Sequence, residues 1–294
     1  MTVRKTLNSW AGRWAAQQAA KREYARRTLL LANHWDGSVQ QYYHFMLGYL
    51  FPVASWIRRN PGQLVTLRDC GPMNVWSRAL QQQIDLEIIL PGDALHRVVG
   101  NRMKSVVLQG LDNPSRFNSR DLRSGAISLA SILRIPPRDS SPLTSPPQAF
   151  DAVIIDRQSS EDFYHSPESE THMSGRERRS TPNLSQADWS ALTGLDPRVV
   201  DFAKVDPVSQ IEVMQRCNLL IGQHGAGLLN MVWMVPGSVV IEIEPPLPPE
   251  VHGLFARLAT CLGHRYLSVP QQSVHADVDF ELLAEAIREM TEVV

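Results

Sequence analysis

The chain is poor in the features that usually announce a mechanism. It has three cysteines in 294 residues, Cys70, Cys217 and Cys261. They are too few and too scattered for a disulfide framework, and none forms a C-x-x-C pair, so a zinc or redox site is not expected and a reducing compartment fits. No apolar run reaches the roughly 18 residues of a transmembrane helix. The N-terminus has no apolar signal-peptide core, so a cytoplasmic protein is expected. A net charge of −1 gives no reason to expect a nucleic-acid partner. The G-x-S-x-G elbow, the G-x-G-x-x-G fingerprint and the P-loop are all missing. What remains is the composition of a soluble globular protein, 43% apolar and 20% charged, long enough for one large domain or two ordinary ones.

What the chain does have is alternation. Strand-like runs at 28–32, 64–67, 86–90 and 105–108 alternate with helical patterns at 42–59, 75–84 and 121–133. This is the signature of βαβ units and a mainly parallel sheet. Prolines crowd the stretch from Pro136 to Pro147 and cannot continue a helix or a central strand, which makes 136–150 a linker. A strand at 152–156 restarts the pattern, and the polar stretch 158–181, without periodicity, reads as a long loop. Helices at 186–192, 208–216, 250–262 and 280–290 then alternate with strands at 199–204, 219–221, 238–243 and 265–269. The expected division is a basic N-terminal helix (1–27), a Rossmann-like N-terminal domain (28–135), the linker, and a Rossmann-like C-terminal domain (151–294). The first segment carries Arg4, Lys5, Arg13, Lys21, Arg22, Arg26 and Arg27 against one acid, Glu23. It reads either as a solvated helix packed on the domain or as a basic helix resting on an anionic membrane surface.

Two features ask for a chemical explanation. The strand Leu219-Leu220-Ile221 runs into Gly222-Gln223-His224-Gly225-Ala226-Gly227, and a later strand carries an acid, Glu242, after Val239-Val240-Ile241. Ligands of open parallel sheets bind beyond the carboxyl ends of the strands. Glycines there let backbone N–H groups approach an anion, and a following helix offers its positive end. The alternative is a tight turn with a structural histidine. A buried acid is costly unless it finds donors, so Glu242 fits either the two hydroxyls of a ribose or a salt bridge with an arginine. Asp277-Val278-Asp279 has the D-x-D form of a metal site, but it stands just before the last helix, where Asp279 is more simply an N-cap.

Ile221 through Met231, followed by Pro236-Gly237-Ser238-Val239-Val240-Ile241-Glu242-Ile243, resembles the C-terminal signature of glycosyltransferase family 61, which includes plant pentosyltransferases and bacterial capsule and lipopolysaccharide enzymes. Supporting matches are Tyr42-Tyr43-His44-Phe45-Met46-Leu47, Val153-Ile154-Ile155-Asp156-Arg157, Arg178-Arg179 with Asn183, and Leu262-Gly263-His264-Arg265-Tyr266. The resemblance implies a GT-B-like α/β fold, with two Rossmann-like domains facing a cleft. It also implies an enzyme that transfers a sugar with inversion from a nucleotide-sugar, usually a UDP-sugar, to a glycan or lipid-linked hydroxyl without a metal. Donor-binding residues would be Arg157, Arg178, Arg179, Asn183, His224, Gly225, Ala226, Gly227, Asn230 and Glu242. The base would be His44, because imidazole is the side chain best suited to proton transfer near neutral pH. Much of the family has an asparagine three residues before this histidine and an acid four residues after it, where this chain has Gln41 and Gly48. Either His44 acts alone or Asp36 from the preceding loop substitutes. A nucleotide-sugar-binding protein without transfer activity is the competing expectation. A hydrolase lacks its nucleophile.

Overall fold

The computed structural model of the chain describes residues 18, 26–35, 37–89, 104–137, 151–156 and 180–292. The N-terminal helix expected before residue 26, most of the proline-rich linker and the polar stretch 157–179 lie outside them.

Two parallel sheets form the frame. The first comprises β1 (Thr28–Asn33), β2 (Val65–Arg68), β3 (Leu86–Ile89) and β4 (Lys104–Gln109), in the order β3-β2-β1-β4. The second comprises β5 (Ala152–Ile155), β6 (Arg198–Val200), β7 (Leu219–Gln223), β8 (Val239–Glu244) and β9 (Arg265–Pro270), in the order β6-β5-β7-β8-β9. The alternation read from the sequence recovers the nine strands of the described residues to within a residue or two, apart from β6. There the expected strand 199–204 stops at Val200 because the Asp201 carboxylate caps the Ala203 amide at 3.1 Å and starts a 3₁₀ turn, Phe202–Lys204.

The central strands read as unbroken apolar runs because both faces of the second sheet are covered. Ile154, Leu219, Ile221, Val239, Ile241 and Ile243 face one cluster, which includes Leu283 and Ile287 of the last helix. Val153, Ile155, Leu220 and Val240 face the other. That second cluster also contains Leu30, Phe45, Leu50, Leu67 and Leu129, so one continuous apolar core joins the two sheets. Across it, Phe51 meets Trp233 edge to face at 5.6 Å. The Arg123 guanidinium donates to the Leu262 carbonyl.

The expected helix 42–59 is present but interrupted. It runs as α1 (Tyr42–Phe45), a π-helical turn (Met46–Leu50) and α2 (Phe51–Arg59). Pro52 has no N–H to give the carbonyl four residues back, and the widened turn before it accommodates that loss. The remaining α-helices among the described residues are α3 (Asn74–Gln81), α4 (Ser119–Ile132), α5 (Trp189–Thr193), α6 (Pro207–Arg216), α7 (Leu254–Leu262) and α8 (Phe280–Glu292). Asp279 accepts from the amides of Glu281 and Leu282 at 3.0 and 3.1 Å, the N-cap role expected of it. All three cysteines are free thiols. Among the described residues no helix is long and apolar enough to cross a membrane. Arg27, grouped by sequence with the basic N-terminal run, is instead buried at the foot of the first sheet. It donates to Asp85 at 2.7 Å and to the Val65 carbonyl at 3.2 Å.

A buried histidine makes the fold sensitive to acid. Burial holds the His264 imidazole down to about 4, against the raising effect of its hydrogen bond to the Met231 carbonyl and with help from the Arg123 charge. Its Nδ1 has no partner among the described residues, as suits the neutral ring with its proton on Nε2. The unfolded imidazole takes up a proton near pH 6.5, the folded one only near 4. The stabilising contribution is therefore complete above pH 6.5 and is lost as pH falls from 6.5 toward 4, on the order of 3 kcal/mol in all. Thermal melts of the wild type and of His264→Gln across that window should show a shallower decline in the variant. Parallel declines would remove His264 as the cause.

Candidate functional site

The strand orders locate two sites before any side chain is considered. In the first sheet the order reverses between β1 and β4, and in the second between β5 and β7. Such switch points open a crevice at the carboxyl ends of the strands. His34 and Trp35 follow β1, and Gly110, Leu111 and Asp112 follow β4. At the other switch point the chain leaves β5 at Asp156 and β7 at His224.

At the first switch point His44, in α1, presents its Nδ1 3.1 Å from Asp112 Oδ2. The Asp112 side chain is 1% exposed and that of His44 17%, so the acid is sealed while the imidazole keeps a path to solvent. Burial alone would raise the Asp112 carboxyl. The hydrogen bonds from His44 and from the Trp35 amide (2.9 Å), together with the His44 charge, outweigh it and hold the group below the usual carboxylate range. Asp112 is therefore an acceptor, the proton of a neutral His44 sits on Nδ1, and Nε2 carries the free lone pair. Gly37, at φ +67°, packs on the same ring, where a Cβ would fall 2.3 Å from Nε2 and any side chain would displace it. Tyr43 meets the imidazole edge to face at 5.1 Å.

This answers the question that Gly48 raised. Gly48 lies in the π-helical turn directly beneath Asp112, and a Cβ there would stand 3.0 Å from Asp112 Oδ2. The acid absent from the helix is replaced in space by one from the end of β4. Asp36 lies outside the described residues.

At the second switch point His224 leaves β7 with its amide donating to the Ile243 carbonyl at 2.9 Å. Its Nδ1 donates to Glu242 Oε1, and the Tyr266 hydroxyl donates to Oε2 at 2.5 Å. Both side chains are closed off, 5% exposed for His224 and 2% for Glu242. Burial, then the Glu242 charge, pushes the Tyr266 phenol far above its usual range, so it remains a donor. Glu242 shares the face of β8 that points into the joint core, which explains an acid in an apolar strand: both of its oxygens have donors. Gly225 follows at φ 151° and ψ 175°, a backbone that only glycine adopts easily, and opens a 3₁₀ helix, Ala226–Trp233.

The two sites touch. The Tyr42 hydroxyl donates to Asn230 Oδ1 at 2.8 Å, and Phe255 stands edge-on to both Tyr43 (6.3 Å) and His224 (5.1 Å). Tyr43 and Phe255 thus bridge the two histidines. Of the residues expected from sequence, His44, His224, Gly225, Ala226, Gly227, Asn230 and Glu242 come together here. Asn230 is fully buried, and besides Tyr42 it binds the Gly227 carbonyl at 3.1 Å, while Ile155 packs against Gly227. Asn183 spends its amide on both backbone groups of Val278, at 2.9 Å each, and so latches the start of α8. Arg157, Arg178 and Arg179 lie outside the described residues. Ser180, next in the chain, is tied to Gln223 beside His224 by a 2.9 Å bond from the Gln223 amide to its carbonyl.

Sequence reasoning did not name Asp112, Tyr266 or Phe255 as site residues, although Tyr266 closes the quoted match Leu262–Tyr266. For Asp112 the signal was an acid two residues past a glycine at the end of an expected strand. Among the described residues, no group of three or more His, Cys, Asp or Glu could hold a metal ion.

No curated protein matches the chain. The family described as Glycosyltransferase 61 matches residues 42–241, a span that opens at the His44 element and closes on β8 beside Glu242. That span is well over half of the chain and takes in His44, Asp112 and His224, so the chain belongs to glycosyltransferase family 61 and is an enzyme that transfers a sugar from a donor to an acceptor.

Proposed function

We propose that the chain transfers a sugar from a nucleoside-diphosphate sugar, a UDP-sugar first among candidates, to a hydroxyl of a glycan or lipid-linked acceptor, with inversion at the anomeric carbon. The observation that carries this reading is the pair of carboxylate-held histidines meeting across Tyr43 and Phe255. In a single displacement, His44 Nε2 takes the acceptor proton as the oxygen attacks, and Asp112 steadies the imidazolium that forms. The departing diphosphate lies at the His224 turn, where Glu242 acts on it through His224 rather than by direct contact. Arg157, Arg178 and Arg179 are its proposed counter-charges, so no metal is required, and the two sheets play the parts of the two GT-B halves. A cytoplasmic setting, with the basic N-terminus against a membrane that carries the acceptor, fits the same reading. Gly48 is the reason to consider a binding protein without transfer activity; Asp112 beside His44 supports the transfer reading.

The test is a thermal-shift series with UDP-, GDP- and CMP-sugars, followed by nucleotide release in the presence of an acceptor mixture. A UDP-sugar should stabilise the protein, and release should require acceptor. Stabilisation without release from any mixture would make the chain a binder. No stabilisation by any nucleotide-sugar would overturn the donor assignment.

A further inference from the structure

We propose that Trp35 is the platform on which the acceptor sugar lies, an inference that rests on the transfer reaction proposed above. Trp35 is 55% exposed and is the only aromatic among the large exposed hydrophobics of the described residues. An exposed indole offers a ligand a broad, rigid apolar face. Its position is not accidental, because its amide donates to Asp112 Oδ1, while the other oxygen of the same carboxylate faces His44. Two residues on, Gly37 packs on the His44 ring. Trp35, through its backbone amide, and Gly37, through its packing on the ring, therefore both stand at the His44–Asp112 pair, at the switch point of the first sheet.

A pyranose presents one face of C–H groups and a rim of hydroxyls. The C–H face stacks on an indole while a rim hydroxyl points sideways to a base, and Trp35 beside His44 offers that pairing. The platform favours acceptors whose stacked face is free of axial hydroxyls and gives little to acyclic alcohols, which have no such face.

The experiment compares wild type, Trp35→Ala and Trp35→Phe with a fixed UDP-sugar and methyl β-glycosides as acceptors. For Trp35→Ala the acceptor KM should rise about 10-fold, the scale of one lost stacking contact. Donor KM and kcat at saturating acceptor should hold within about twofold, and Trp35→Phe should recover most of the loss. An unchanged acceptor KM, or a fall in kcat that matches any rise in KM, would overturn the platform, the latter because it signals a displaced His44. If the wild type transfers nothing, the proposed reaction fails but the platform can still be read by ¹⁹F NMR of protein labelled with 5-fluorotryptophan. The Trp35 resonance, assigned by its loss in Trp35→Phe, should shift on titration with methyl β-glucoside, and a resonance that stays fixed would overturn the platform.

Discussion

Replacing His44 by alanine lowers turnover by about 10²- to 10⁴-fold, the usual worth of a positioned general base, while donor-induced thermal stabilisation remains close to that of the wild type. The split follows from geometry. His44 stands in the crevice of the first sheet with its proton fixed on Nδ1 by Asp112, whereas the proposed diphosphate site belongs to the turn after β7. Asp112→Asn should fall between wild type and His44→Ala, since an amide can still meet Nδ1 but cannot balance the charge that forms on the ring. Turnover and donor stabilisation measured on the same preparations decide the matter. Unchanged turnover in His44→Ala removes the residue from the chemistry. An equal loss of donor stabilisation would move it into the donor site.

The second large effect is on stability. Glu242→Ala leaves an imidazole and a phenol in the joint core without their shared acceptor. Leaving a buried donor unsatisfied costs about 1–3 kcal/mol, and two such losses lower the melting midpoint of a chain of this length by roughly 10 °C. Glu242→Gln should cost less, because its amide oxygen still serves one donor and its NH₂ can approach the Tyr266 oxygen. If the two variants melt together near the wild type, the carboxylate is not holding the end of β8. A donor-saturated sample separates the two roles of this cluster: ligand binding restores part of the lost midpoint only if His224 still reaches the donor.

The frame of the molecule was legible because burial on both faces writes itself into sequence. Leu219 to Ile221 and Val239 to Ile241 read as strands from composition alone, and caps such as Asp279 announce themselves locally. The turn at 222–227 was legible because an apolar strand running into glycines is an uncommon and informative pattern. The dyad was only half legible. His44 lies in a recognisable element, but its partner is 68 residues away, and no local pattern records which strand end folds over Gly48. The π-helical turn was missed for a related reason, since Pro52 marks a missing donor without saying how the turn will absorb it. The resemblance implies donor contacts for Asn183 and Asn230, and in the structure each amide also bonds other parts of the chain. A sequence displays a polar side chain's capacity to bond, while its use is settled by packing.

The seam between the sheets bears on how such enzymes can be recombined. Tyr42 with Asn230, Tyr43 with Phe255 and Phe51 with Trp233 are pairs drawn from opposite halves. A hybrid that took its first half from one family member and its second from another would inherit each pair split between parents. If donor and acceptor are held by separate sheets as proposed, their preferences can be exchanged only when these facing residues travel together, and the seam then acts as a compatibility code between the two halves.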